Sequence, residues 1–392
     1  MLFSNSQVNA ELRYSRESLR VYYYLRHSLK TLRYVAAGYF KGLLSETTLC
    51  SPFPVIPGYT SLCNYTHADL GNSWYCGQPR KLGLTCADWN ILKDMEFIDP
   101  FPINKAEMHV ADVLGRPPKS RLIPSRILIK VEGGAQQTPA WPCPVRNMAD
   151  TWRLGRPRGY FLHQKWFRTD CKQTHNTPDR SRQCFRNTTL VLAGDSNLMK
   201  MFEVLASRMQ CTVLMEPGTE WHRPRSCVRE DIQFHMSWLL HGFPNHPGSD
   251  HWAKRSQFQE VSDQIRAVPD KGKYIVLVHL FIHYSIHHYS VLYDRLLAVR
   301  KATELLLRRN PDVKVVIRGP HVAQNGWPPI LGGDMAGPLM RELHVKAFQG
   351  LHERVAYIDF WDMTIAGENP DFHPVPMVNN AMVDVFMDHV CS

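Results

Sequence analysis

A chain of 392 residues with 44% hydrophobic and 21% charged residues is long enough for a sizeable core and too apolar to be disordered. Its formal net charge of +10 favours anionic partners such as acidic glycans, anionic lipid or nucleic acid. The basic residues are dispersed, with no zinc-finger spacing, aromatic RNA-binding box or basic heptad helix, so no nucleic-acid partner is expected.

In chain order, residues 1–48 are basic, tyrosine-rich and free of proline, which predicts one or two helical turns on an N-terminal arm. Residues 49–157 are rich in Pro, Gly, Cys and Trp and read as an irregular, disulfide-braced lead-in module, with short strands such as 126–131. From 158 to 392 the pattern is regular. Apolar runs at 188–193, 273–280, 313–317 and 355–360 predict buried strands. Stretches with helical spacing at 198–209, 291–308, 339–351 and 377–390 predict helices, and Asn310-Pro311-Asp312 breaks the second of them. Strands alternating with helices predict an α/β fold with a mainly parallel sheet and helices on both faces. Right-handed crossovers then gather the C-terminal ends of the strands on one edge, where sites form.

The ten cysteines, Cys50, Cys63, Cys76, Cys86, Cys143, Cys171, Cys184, Cys211, Cys227 and Cys391, include no CxxC pair, which argues against zinc. An even number spread along the chain predicts disulfides, with Cys391 tied back to the body. Sequons at Asn64-Tyr65-Thr66 and Asn187-Thr188-Thr189 mark Asn64 and Asn187 as glycosylation candidates. Together these features predict a secretory-pathway protein, in the Golgi lumen or outside the cell; a cytosolic protein with free core thiols is the alternative. Residues 1–48 lack the continuous apolar stretch of a signal peptide, since 34–44 is short and holds Lys41. No run is long and apolar enough to predict a membrane span.

The first chemical constellation is Val191-Leu192-Ala193-Gly194-Asp195-Ser196-Asn197. A serine that directly follows a buried strand and opens a helix sits at the C-terminal edge of the sheet. The helix N-terminus there offers free N–H groups and a positive dipole end to a developing oxyanion. Gly194 permits a tight turn and close approach of substrate. The plainer reading is a helix cap made by Asp195 or Ser196. The second constellation, Asn369-Pro370-Asp371-Phe372-His373-Pro374, lies between the last strand and the last helix, on the same edge. His373 is a candidate base for Ser196. Asp371, two residues earlier, lies on the same side if the loop is extended, and so is a candidate to orient it. A simple turn is the alternative.

These residues resemble the SGNH, or GDSL-like, esterase superfamily, and more closely the C-terminal region of the NXPE family of neurexophilin and PC-esterase domain proteins. The resemblance rests on Trp74-Tyr75-Cys76, Gly159-Tyr160-Phe161-Leu162-His163 with Trp166, Leu192-Ala193-Gly194-Asp195-Ser196, Ile358-Asp359-Phe360-Trp361-Asp362-Met363-Thr364, and His373-Pro374 leading to Val390-Cys391. It implies an SGNH-hydrolase-like three-layer α/β/α fold. It also implies O-acyl (acetyl) transfer or ester hydrolysis on glycans or glycoproteins, sialic-acid-containing ones included. Ser196 is then the nucleophile and His373 the base. No metal and no resident cofactor are implied, though a transferase needs an acyl donor such as acetyl-CoA. Asp371 departs from the family's Asp-x-x-His spacing by one residue. In that family a neurexophilin-like β-sandwich usually precedes the esterase-like region, and the residues before Trp74 are too few to hold one.

SGNH enzymes also recruit a Gly and an Asn from two middle loops. In the matching stretch, 278–284, Phe281 stands at the glycine's place and His283 is the expected substitute donor. Loss of one oxyanion donor costs about a hundred- to a thousandfold in rate, so the competing reading is a weak or inactive secreted binding protein that keeps the fold. The run His279, His283, His287, His288 lacks a carboxylate at metal-motif spacing, and no metal site is expected there. Arg318, at a strand end on the same edge, is either a bidentate holder of an acidic sugar carboxylate or a surface arginine. Trp361 and Asp362 are pocket candidates, with core packing the better reading of Trp361.

Overall fold

The computed structural model describes residues 34–96, 141–143, 147–155, 158–173, 177–215, 222–244, 253–254, 257–285, 287–323, 336–369 and 371–391. The strand expected at 126–131 and residues 1–33 of the expected arm lie outside the described residues.

The N-terminal part begins with a hairpin of β1 (Tyr34–Lys41) and β2 (Leu44–Ser51), paired so that Lys41 faces Leu44. The two-residue turn places Gly42 at φ +58, a conformation that favours glycine at the first central position of a type II′ hairpin. Three more strands follow, β3 (Leu62–Asn64), β4 (Tyr75–Gly77) and β5 (Trp89–Glu96). The expected helical turns are therefore corrected for 34–48, and the expected boundary at 48/49 falls inside β2. Hydrogen bonding of β1 to β2 on one side and β5 on the other outweighs the local preference of a short Ala-containing segment. Cys50–Cys76 links paired residues of β2 and β4, and Cys63–Cys86 closes a second loop.

The C-terminal part opens with a hairpin of β6 (Gly159–Leu162) and β7 (Lys165–Arg168) and the short helix α1 (Pro178–Cys184). Then come β8 (Thr188–Gly194), α2 (Ser196–Met209), β9 (Thr212–Met215), β10 (Arg225–Arg229), β11 (Phe234–His241), β12 (Ala253–Lys254) and β13 (Phe258–Gln259). The rest is α3 (Val261–Arg266), β14 (Lys273–His279), α4 (Tyr289–Arg309), β15 (Lys314–Arg318), α5 (Ala336–Ala347), β16 (Val355–Ile358), α6 (Trp361–Ala366) and α7 (Pro376–Val390). The eight-stranded sheet runs β16-β15-β14-β8-β11-β10-β9, with β13 beside β11. The strands from β16 to β11 are parallel, and β9 and β10 are antiparallel additions at one end.

β8 lies inside this sheet and is apolar on both faces, as a parallel central strand must be. Leu190 and Leu192 pack with Leu198, Phe202 and Leu205 of α2 and Met382 and Phe386 of α7. Val191 and Ala193 face the other layer, with Ile265 of α3, Leu296 and Leu306 of α4 and Met340 of α5. α4 stops at Asn310, before Pro311, as the break predicts. Cys184–Cys391 ties the residue after α7 back to α1, and all ten cysteines are paired in five disulfides. Among the described residues no helix is long and apolar enough to cross a membrane.

The two parts are continuous. β12 pairs with β5, completing a six-stranded N-terminal sheet, and Phe243 stacks on both Trp74 and Trp89. Arg295 of α4 donates from Nη1 to the Leu70 carbonyl at 3.2 Å and from Nη2 to Asn72 Oδ1 at 2.5 Å and to the Phe243 carbonyl.

Candidate active site

Gly194 ends β8 where the backbones of β8 and β14 converge. A Cβ at this position would stand 2.3 Å from the His279 carbonyl oxygen, so only glycine fits. Asp195 is the N-cap of α2, and its Oδ1 accepts from Asn197 N at 2.8 Å. Its own carbonyl accepts from Trp238 Nε1 of β11 at 3.3 Å. The cap is thus fixed from its own helix and from the neighbouring strand. The Asp195 carboxyl is pushed up to about 6 by burial, against the opposing pull of Arg318 and the Asn197 N–H. Ser196 follows as the first residue of α2, buried except for a small opening.

The loop between α6 and α7 carries the second half of the site. Asn369 folds it: Oδ1 accepts from Val375 N at 2.7 Å, and Nδ2 donates to the Asp371 carbonyl at 2.9 Å. The result places His373 Nε2 at 2.7 Å from Ser196 Oγ, within reach for proton transfer. Burial first, then the charge of Lys200 and more weakly that of Arg318, lowers the His373 imidazole to about 4, with Glu203 opposing. At neutral pH the ring is uncharged and its Nε2 is able to accept the serine proton. Asp371 does not join this pair. The loop bends at 371–373 instead of running extended, the Asp371 side chain is exposed, and among the described residues Glu203 of α2 is an acidic group whose charge acts on His373.

The strands flanking β8 supply residues that sequence reading placed differently or missed. His283 is buried after β14, with Nδ1 at 2.8 Å from His241 Nε2, while His241 Nδ1 lies 2.5 Å from the Gly242 carbonyl. A carbonyl only accepts, so the proton of His241 is on Nδ1 and its Nε2 accepts from His283 Nδ1–H. The His283 Nδ1–H is therefore taken up by His241. His241 itself is held neutral, burial lowering it to about 3. A glycine does follow the strand on the other side of β8, Gly242 after β11. The signal in the sequence was the alternation of Phe234, Met236 and Trp238 with His235 and Ser237, which marks a strand absent from the predicted elements.

Arg318 has no exposed surface, which corrects both expectations for it: a guanidinium so placed meets neither solvent nor a substrate carboxylate. It stacks 5.6 Å over the Phe360 ring and points Nη2 at Met382 Sδ (3.3 Å) and His321 Nδ1 (3.5 Å). Burial lowers it to about 10, with Asp195 opposing. Of the other histidines, His279 Nδ1 donates to the Arg318 carbonyl at 3.0 Å, and His288 Nδ1 caps α4 by accepting from Ser290 N at 3.3 Å. Among the described residues no three or more His, Cys, Asp or Glu side chains converge as metal ligands. Trp361 packs with Val322 and Ile365. The Asp362 carboxylate accepts from the backbone N–H groups of Arg158 and Met363, and burial together with Asp359 pushes it up to about 6. Asn64 and Asn187 are both exposed. A cleft of about 650 Å³ lined by Val191, Leu214, Trp238, Val268 and Tyr274 includes neither Ser196 nor His373 in its walls.

A family model described as NXPE family member 4-like, C-terminal domain, matches residues 166–391, more than half of the chain. A crystal structure from Parabacteroides merdae ATCC 43184, described by inference as a GDSL-like lipase, aligns over 53% of this chain and 97% of that one. The identity is 10% and the TM-score 0.30.

Proposed function

The chain belongs to the NXPE family, and from that premise we propose that its α/β domain is an SGNH-like serine O-acyltransferase or esterase acting on glycans. The observation that carries this reading is the 2.7 Å contact between Ser196 Oγ and His373 Nε2. His373 accepts the Ser196 proton as Oγ attacks the acyl carbonyl. The oxyanion forms at the N-terminus of α2, where the Ser196 N–H and, from the end of β11, the Gly242 N–H serve as donors. The protonated His373 then gives its proton to the leaving group, producing an acyl-enzyme. Water completes an esterase cycle, and a sugar hydroxyl completes a transferase cycle, with an acyl donor such as acetyl-CoA supplying the first step. The net charge of +10 supports an acidic acceptor such as a sialic-acid-containing glycan. Five disulfides and two exposed sequons support a secreted or Golgi glycoprotein.

The second reading, a secreted binding protein that keeps the esterase fold, is favoured by one observation, the exposure of Asp371 away from His373. A fluorophosphonate probe separates the two. Labelling of the folded, oxidised protein that disappears in Ser196→Ala, with acetyl transfer to or release from sialoglycans, is expected for the enzyme. Folded protein that takes no label and moves no acetyl group is the binding protein.

A further inference from the structure

The loop that carries His373 is fastened one residue before it. The Phe372 carbonyl accepts from His321 Nε2 at 3.0 Å. Because a carbonyl has no proton to give, the His321 proton is on Nε2 and Nδ1 is a bare acceptor. That nitrogen faces Arg318 Nη2 at 3.5 Å, and an arginine only donates, so both contacts demand the same neutral tautomer. Arg318 is fixed in turn from β14, where His279 Nδ1 donates to its carbonyl at 3.0 Å. His279 Nε2 lies 3.7 Å from Asp195 Oδ2, beside the nucleophile. Hydrogen bonds thus run from His279 through Arg318 and His321 to Phe372, with Asp195 beside His279 but not hydrogen-bonded to it, and the four polar side chains have no exposed surface at all. Burial, with the charge of Arg318 next, holds both His279 and His321 well below the ordinary histidine range.

A buried arginine and two buried imidazoles are costly to retain as mere filling. They are explained if they hold a geometry. We infer that His321 is the positioning residue of the site: its Nε2–H pins the Phe372 carbonyl, Arg318 fixes its tautomer, and His373 is thereby held against Ser196. This is the orienting task that the sequence assigned to Asp371. The inference rests on the Ser196–His373 reading above.

The test compares wild type, H321Q and H321F. The glutamine places an N–H near the position of Nε2, and the phenylalanine fills the volume without a donor. The rate of fluorophosphonate labelling is expected to fall about a hundredfold in H321F, as for a base displaced by about an ångström, and to recover to within about fivefold of wild type in H321Q. Imidazole ¹⁵N spectra of the wild type are expected to show His321 protonated at Nε2 and bare at Nδ1, with the His373 signals moved by H321F and not by H321Q. Should H321F fail to fold, H321N, too short to reach the carbonyl, replaces it. A His321 protonated at Nδ1, or a donor-less variant labelled at the wild-type rate, overturns the inference. A wild type that takes no label overturns the esterase reading instead, and the two spectroscopic readouts then decide for or against His321 on their own.

Discussion

The two sides of β8 use the same chemical parts for different ends. On the β14–β15 side, neutral His279 and His321 bond backbone carbonyls around the buried cation Arg318, and the chain leads to the loop of His373. On the β11 side, neutral His241 bonds both His283 and the Gly242 carbonyl. The cation there, Arg295, stands at the boundary with the N-terminal sheet and has Glu260 at 3.5 Å as its counter-ion. One side is built towards the base and the other towards the neighbouring module. A buried imidazole that reports only on carbonyl partners serves as a spacer with a fixed polarity, and what it anchors depends on where the nearby charge sits.

The largest effect expected is that of Arg318→Met. It removes the charge that opposes desolvation of Asp195 and the donor facing His321, so urea unfolding should show a loss of about 3 kcal/mol. Fluorophosphonate labelling should fall by about a hundredfold in the protein that remains folded. Arg295→Met should reverse that balance. It frees the Leu70 and Phe243 carbonyls and Asn72 Oδ1 and leaves Glu260 without its cation, at a cost of about 2 kcal/mol, while labelling stays within about tenfold of wild type. If the two variants lose stability and labelling in the same proportion, the contrast between the two sides is wrong.

The pH dependence separates the sides further. His373 and His241 have folded values of about 4 and about 3, below the ordinary 6.5. The folded state therefore binds fewer protons than the unfolded one in that window, and stability from these groups is lost as pH falls from about 6.5. Asp195 and Glu260, raised to about 6 and about 7, act oppositely: their unfavourable contribution is relieved as pH falls through those values towards 4. Labelling follows only His373. Its rate should be level from pH 6 to 8 and drop with a midpoint near 4; Lys200→Met should raise that midpoint and Glu203→Gln lower it, each by a fraction of a unit. The smallest effect is that of Asp371→Asn, expected to leave labelling within about twofold. A tenfold loss there would restore Asp371 as the orienting acid.

What could be read in the sequence was local. Gly194-Asp195-Ser196 announces a strand, a cap and a helix within a few residues, and each is found where the pattern puts it. His373 was legible because its loop lies between the last strand and the last helix. Asp371 was misread because the path of that loop is set by Asn369 bonding Val375 and Asp371, which two-residue spacing does not reveal. β11 joins β8 in parallel only after the antiparallel excursion through β9 and β10, so His241 and Gly242 come to the edge through a pairing of distant segments. His321 and Arg318 depend on three strands and a loop meeting, and no spacing rule links them to Ser196.

Phe243 lies within the stretch matched by the family model, 166–391, yet its stacking partners Trp74 and Trp89 lie outside it. Arg295 stands in the same relation to Leu70 and Asn72. The portion recognisable by kinship is therefore smaller than the portion that must assemble together. A protein trimmed to the matched stretch would carry an aromatic ring stripped of its stack and a guanidinium stripped of its acceptors, and whatever activity Ser196 has is best sought in the longer chain.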